Sequence, residues 1–555
     1  MDTAAPAWPW PRRRTVRARA GIRVDVDATS LGAKRVRWVW ATPPRQRSLL
    51  IAASSTRVTS ESAAAPLGPR LHAFLGRLPG GRSVRWIVLV AVLYTCSQLL
   101  LVSPSMPLGW DETVYASQVS AHVPAEFFSA PRSRGITLLV APVALLTHST
   151  VALRVYLSVL SGLGLLLALL AWRRLRDTRV LALAGGLFAT LWVTEYYGPQ
   201  AMPNLWIAFG GLAAVGCLLD ALRRPAARAP LLGLASALAV AALMRPSDAA
   251  FLALPLLVVS LLRRRLWLLL ATCGGFLLGS AEWIVEAYVR FGGIGGRLHA
   301  SSLNEGGLGL HWAVGDALRS LDGPILCRPC TVGWNHKPLE LTVWWLLLPV
   351  LVVVGVLVER RAGRRGDALL PSLLPAWCGF SVACPYLFMI DYSAPRFLLP
   401  AYALLLVPAA ALLARLAATA ARRRRPWMLL VLGLALVLQL AGQYSQLVPE
   451  VAYTVANRAD QPYAVPQLAR LGLTGTCLLT GEDAEPMGYF TGCRAVEIDG
   501  NDANTTTAQL VREATREPTA LLLYPGDAVP AYARHWTMHI VTGRSGQANY
   551  LVYRP

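Results

Sequence analysis

Two adjacent carboxylates, Asp111 and Glu112, follow a long apolar run, Trp86 to Val102, in the string Trp110-Asp-Glu-Thr-Val-Tyr115. An ionised carboxylate at the edge of a hydrophobic span loses hydration, so residues of this kind need a partner or a task. One task is general-base chemistry, in which a rigidly held acid takes the proton of an attacking hydroxyl. Asp111 is also suited to cap a helix beginning near Glu112, because Asp is a favoured N-cap and acids suit a helix N-terminus. The two roles are compatible. Further polar side chains recur between apolar segments: Tyr115; Arg132 and Arg134; Tyr197, Gln200 and Asn204; Arg245, followed by Asp248; and Asp391 with Arg396. An arginine held near bilayer depth calls for an anion, and the guanidinium fork matches a phosphate. The alternative is local pairing, Arg245 with Asp248 and Arg396 with Asp391.

The elements that must position these residues are mostly apolar. Hydrophobic residues make up 55% of the 555 and charged residues 15%, against roughly 45–50% and 25% in soluble domains. Eleven apolar segments lie at about 86–103, 151–172, 180–194, 203–221, 231–245, 248–262, 266–287, 341–358, 369–390, 397–416 and 427–445. Several approach the ~20 residues that span a bilayer, and the shorter ones require tilt or burial. Gly135 to Thr147 is too short to cross and reads as an interfacial or re-entrant helix.

The formal charge of +22 does not indicate nucleic acid, because the arginines cluster in short loops between apolar segments. Arg82 and Arg85, Arg173 to Arg179, Arg223 to Arg228, Arg263 to Arg265, Arg360 to Arg365 and Arg422 to Arg425 all fall on one side of an eleven-span topology. By the positive-inside rule that side is cytoplasmic. The N-terminus is then cytoplasmic in a multi-pass cell-membrane protein. The loops 104–150 and 288–340, and everything after about 446, are extracytoplasmic. The four arginines at 132, 134, 245 and 396 stand against this bias.

Three regions follow. Residues 1–80, rich in Arg, Ala, Pro and Ser without periodicity, read as a disordered cytoplasmic tail. Residues 81–446 form the membrane domain. Residues 447–555 read as a small extracytoplasmic α/β domain. Its strands are expected at Thr476–Thr480, Ala495–Ile498, Ala520–Tyr524, His539–Val541 and Tyr550–Tyr553, with helices at Gln509–Thr515 and Val529–Trp536. Gly481 has no glycine-rich phosphate loop around it, so nucleotide binding is not supported. Four of the nine cysteines fall outside the spans, which suits an oxidising compartment. Cys477–Cys493 is a candidate disulfide. Cys327 and Cys330 read as a tight disulfide, a thiol pair or half of a zinc site.

An acidic pair after the first span, a polar, arginine-bearing segment before an interfacial helix, many spans and a soluble C-terminal domain together resemble the GT-C superfamily. The resemblance is to the protein O-mannosyltransferase and lipid A aminoarabinose transferase families. It is carried by Gly109-Trp-Asp-Glu-Thr-Val-Tyr115, Val151-Ala-Leu-Arg-Val-Tyr-Leu157 and Ser393-Ala-Pro-Arg-Phe-Leu-Leu-Pro400, and covers roughly residues 86–445. It implies an inverting glycosyltransferase, hexosyl or pentosyl, that moves a sugar from a polyprenyl-phosphate donor to an extracytoplasmic protein, lipid or glycan. Asp111 would be the base. Glu112 would position the acceptor or help bind donor or a divalent metal, and the arginines would stabilise the departing phosphate. Asn204 stands where relatives often carry an acid. Two other classes compete: a non-catalytic partner in envelope polysaccharide assembly, and a transporter. Transport predicts acids near span centres, for which Glu282 and Glu286 are the nearest candidates.

Overall fold

The computed structural model describes residues 81–323, 342–500 and 502–555. The N-terminal tail, and with it residues 1–80, lies outside the described residues, as do Cys327 and Cys330.

The chain begins with α1 (Gly81–Leu101), the short α2 (Trp110–Ser117) and the ten-residue α3 (Gly135–Ala144). It continues through α4 (Thr150–Leu170), α5 (Thr178–Ala189), α6 (Trp192–Tyr197), α7 (Pro203–Arg223), α8 (Arg228–Met244), α9 (Pro246–Leu262) and α10 (Leu266–Arg290). Then follow α11 (Ile294–Asn304), α12 (Val314–Arg319), α13 (Val343–Arg361), α14 (Leu370–Phe388), α15 (Leu399–Arg422), α16 (Pro426–Arg458) and α17 (Asp460–Arg470). Among the described residues, eight stretches are long and apolar enough to cross a membrane; α5, α8 and α9 are shorter apolar helices beside them. The protein is therefore a polytopic helical membrane protein, with α3 as the expected short apolar helix.

Two boundaries differ from the sequence reading. The segment expected as one span at 180–194 divides into α5 and α6. Thr190 donates its hydroxyl to the Gly186 carbonyl at 2.8 Å, and Leu191 turns extended behind it. Such a back-bond competes with helix continuation. The last span does not stop near 445: α16 runs to Arg458, 33 residues or about 50 Å at 1.5 Å per residue, so its last turns carry polar side chains beyond the apolar stretch.

Helices α7 and α15 lie at the centre of the bundle and are buried along most of their length. By contrast α10, α13 and α16 leave Leu278, Val353 and Leu430 exposed on their outward faces, as lipid-facing surfaces require. Close packing of α8 on α10 depends on glycine. A Cβ at Gly275 or Gly279 would overlap the carbonyl oxygens of Ala235 and Ala239, the small-residue contact that lets membrane helices approach.

The C-terminal unit is a five-stranded sheet in the order β2-β1-β3-β5-β4, with β1 (Leu478–Gly481), β2 (Arg494–Ala495), β3 (Thr519–Leu523), β4 (Thr537–Thr542) and β5 (Ala548–Arg554). The β2-β1-β3 part is parallel and β3-β5-β4 antiparallel. Helix α18 (Ala484–Thr491) fills the crossover from β1 to β2, and α19 (Thr507–Ala514) precedes β3. The α18 stretch, Ala-Glu-Pro-Met-Gly-Tyr-Phe-Thr, gave no helical signal because Pro486 and Gly488 interrupt it. The helix expected at 529–536 is reduced to a single 3-10 turn at Ala531–Ala533. A disulfide joins Cys477 to Cys493 and ties the start of β1 to the chain entering β2.

Candidate active site at the foot of the C-terminal domain

Helix α2 is held from below by Glu112. Its N-cap is Gly109, not Asp111, and Glu112 at the third helical position accepts the Gly109 N–H at 2.9 Å. Asp111 is thus freed from the capping role that the sequence permits. Glu112 is wholly buried and fully occupied. It receives both terminal nitrogens of Arg154 from α4 (Nη2 to Oε2, 2.8 Å), the Ala201 N–H at 2.8 Å, and Arg458 at 3.4 Å. Arg154 also donates to the carbonyls of Met106, Pro107 and Pro199. Two buried charges are tolerated because almost every lone pair and proton has a partner. A Cβ at Gly109 would sit 2.6 Å from the Arg458 guanidinium, so a larger residue there would push that side chain aside.

One position earlier on the helix, Asp111 points the other way. Its side chain is 31% exposed and accepts Arg132 Nη2 at 2.9 Å and Arg396 Nη2 at 3.2 Å. Burial by itself would raise its pKa, but the guanidiniums of Arg132 and Arg396 outweigh that and hold the carboxyl below the ordinary Asp value. Burial likewise raises Glu112, and Arg154 with Arg458 brings it below its ordinary value. Both acids are carboxylates, in opposite surroundings.

Asp111, Tyr115, Arg132, Asn204, Arg245 and Arg396 line one polar cavity of about 140 Å³, together with Glu305 and Tyr392. Arg245 sits in extended backbone between α8 and α9. It reaches Glu305 at 2.6 Å and Asp248 at 3.8 Å. Arg396 pairs with Asp111 instead of Asp391, so of the two local pairings only Arg245–Asp248 forms, and loosely. Asn204 is buried with its amide nitrogen unpartnered. Tyr197 and Gln200 line a second cavity of about 290 Å³ on the far side of Asp111 and Arg396, with Trp110, Tyr453, Asn457 and Arg458.

Arg134 and Asp391 line neither cavity. Arg134 is held by Glu286 at 2.7 Å, Glu282 at 3.3 Å and Gln118 at 3.1 Å, and Asp391 is exposed. The same contacts explain Glu282 and Glu286, which face arginines at the end of α10. Among the described residues no group of three or more His, Cys, Asp or Glu side chains is placed to hold a metal ion. Glu112, sealed among arginines, does not turn toward Asp111's cavity.

Several residues of the site escaped the sequence reading. Arg154 had a signal, an arginine inside an apolar 21-residue helix. Arg297, wholly buried on α11, donates to the carbonyls of Ala130 and Arg132 at 3.1 and 2.8 Å and so shapes the Arg132 loop. Glu305 and Arg458 gave no local sign. Neither did Asp502, which enters from the C-terminal domain and binds Arg132 and Trp110.

The helical membrane bundle with a sheet domain packed above it is a GT-C-like fold, shared with solved structures at low sequence identity. The crystal structure of ArnT from Cupriavidus metallidurans bound to undecaprenyl phosphate superposes with a TM-score of 0.60 at 14% identity, over 85% of this chain and 98% of that one. Its apo state gives 0.56 at 15% identity, over 84% and 97%. The Archaeoglobus fulgidus oligosaccharyltransferase tethered to an acceptor peptide gives 0.50 at 13%, over 84% and 73%. No protein-family profile and no curated protein matches the sequence.

Proposed function

We propose that the protein is a membrane glycosyltransferase that moves a sugar, with inversion, from a polyprenyl-phosphate-linked donor to an extracytoplasmic acceptor. The observation that carries this reading is Asp111, a carboxylate set between two arginines at the wall of a polar cavity that Arg245 joins to an apolar one. The apolar cavity, of about 310 Å³, shares Pro131, Arg245 and Glu305 with the polar one and runs among Phe251, Phe276, Leu298 and Met389. A phosphate beside Arg245 with an isoprenoid chain in this groove satisfies both surfaces, and undecaprenyl phosphate is the ligand of the ArnT structure above.

In the reaction the acceptor oxygen attacks the anomeric carbon as its proton passes to Asp111. The bond from that carbon to the phosphate oxygen breaks, and its electron pair leaves on the phosphate. Arg396 and Arg245 meet the charge that develops there, and the free Asn204 amide N–H offers one more donor. Glu112 does no chemistry in this scheme; with Arg154 it fixes the helix on which Asp111 rides. No step is routed through a metal. The arginine clusters at the opposite ends of the spans support an extracytoplasmic site, by the positive-inside rule.

The test is direct. Purified protein should bind undecaprenyl phosphate, Arg245→Ala and Arg396→Ala should each weaken that binding about tenfold or more, and Asp111→Asn should keep binding while losing transfer in membranes. Absence of binding by the wild type, or full transfer by Asp111→Asn, would overturn the proposal. The latter result would favour a non-catalytic role in envelope assembly.

A further inference from the structure

Asp502 belongs to the C-terminal sheet domain, far from the membrane residues in sequence, yet its carboxylate is 3% exposed and is spent entirely on the membrane site. One oxygen takes Arg132 Nη1. The other takes Arg132 Nη2 at 3.1 Å and the Trp110 indole N–H at 2.8 Å. Trp110 precedes Asp111, and Arg132 is one of the two cations on Asp111. The same Nη2 that serves Asp502 also serves Asp111, at 2.9 Å. A single guanidinium is therefore shared between the acid of one domain and the acid of the other.

We infer that Asp502 is a positioning residue of the active site: it anchors Arg132 and shares its charge, so that the C-terminal domain sets both the geometry and the proton affinity of Asp111. This rests on the role proposed for Asp111. The physical argument concerns basicity. An acid gripped by two uncompensated guanidiniums is a poor proton acceptor, because each cation favours the carboxylate form. Asp502 takes two of Arg132's N–H groups and neutralises its charge, leaving Asp111 one shared hydrogen bond. Arg132 cannot withdraw either, since Ser129 Oγ accepts its Nη1 at 2.7 Å and Arg297 holds its backbone carbonyl. The other groups facing Asp111 are Arg396, Arg245 and Tyr115. Glu126 and Glu485 face Arg132 and Asp502 from the loop after α2 and from α18.

The prediction has a sign. Removing the Asp502 charge should give Arg132 wholly to Asp111 and move the titration of Asp111 to lower pH. Asp111 contributes stability above its unfolded pKa, and loses it as pH falls through its depressed folded value. The difference in thermal midpoint between a protein and its Asp111→Asn derivative, followed from pH 7 downward in detergent, reports that titration without any donor. Against the wild-type background, Asp502→Asn should shift the loss downward by about half a pH unit or more; Asp502→Glu should restore it. In an Arg132→Gln background, Asp502→Asn should shift nothing, because Asp502 acts through Arg132. If Asp502→Asn does not fold, Asp502→Ser serves the same comparison. An unchanged or upward-shifted titration, or an equal shift without Arg132, would overturn the inference. Undecaprenyl phosphate binding by wild type, measured separately, tells whether the functional proposal itself stands.

Discussion

Glu112→Ala separates the two acids of the pair by their effect on folding. The change leaves Arg154, 1% exposed, with its charge set only against the carbonyls of Met106, Pro107 and Pro199. It also strips a partner from the Gly109 and Ala201 N–H groups. Removing one member of a buried ion pair costs about 3–5 kcal/mol, which is roughly two to three and a half powers of ten in the folded population. Asp111→Asn keeps the shape of a half-open side chain, and its loss should stay near about 1 kcal/mol, as for a partly solvated pair. Thermal midpoints by intrinsic fluorescence, with size-exclusion profiles in detergent, should show Glu112→Ala far below wild type and Asp111→Asn close to it. The double variant Glu112→Met with Arg154→Met should regain a good part of the loss, since an apolar pair replaces two buried charges. If Glu112→Ala is as stable as Asp111→Asn, or the double variant is no better than the single one, the buried cage does not hold α2.

The acids between the domains should respond to pH in the opposite sense. Burial, then the charge of Glu485, raises Glu126 well above its ordinary value, and burial with Asp502 raises Glu485 to about 8. The contribution of Glu485 is full below the unfolded value of about 4.3 and is lost as pH rises through about 8; that of Glu126 is lost in the same direction. Amide exchange in residues 118–128 should accelerate above that pH, and Glu485→Gln should flatten the rise. Asn204→Asp puts a second negative charge on the cavity wall, and should weaken undecaprenyl phosphate binding about tenfold or more without lowering the thermal midpoint by a comparable factor. Gly279→Leu forces α8 from α10 and should prevent recovery of monodisperse protein, whereas Gly274→Leu, which meets nothing within 4 Å, should be recovered normally.

The apolar segments were legible because a span must be both long and apolar, and composition alone records that. Arg132, Arg245 and Arg396 stood out for the same reason: a cation against the loop bias is rare. Arg134 obeyed the same rule and went elsewhere, because Glu282 and Glu286 lie one turn apart on α10 and receive it. The acidic pair was read as a unit, but neighbouring positions on a helix point about 100° apart, so one side chain entered a closed arginine cage and the other a cavity. Nothing local to Glu112 tells of Arg154, which lies 42 residues away, or of Arg458, 346 residues away.

By itself the sequence determined that this is a many-span membrane protein with a small C-terminal α/β domain, and that a few acids and arginines fall together away from the arginine-rich loops. Those are matters of composition and hydration, which act residue by residue. Tertiary structure alone decided which acid is the structural one, which arginines share a cavity, and that Asp502 joins the site from another domain. Charges are paired by distance in three dimensions, and a hydrophobic bundle imposes that distance on residues the chain keeps far apart.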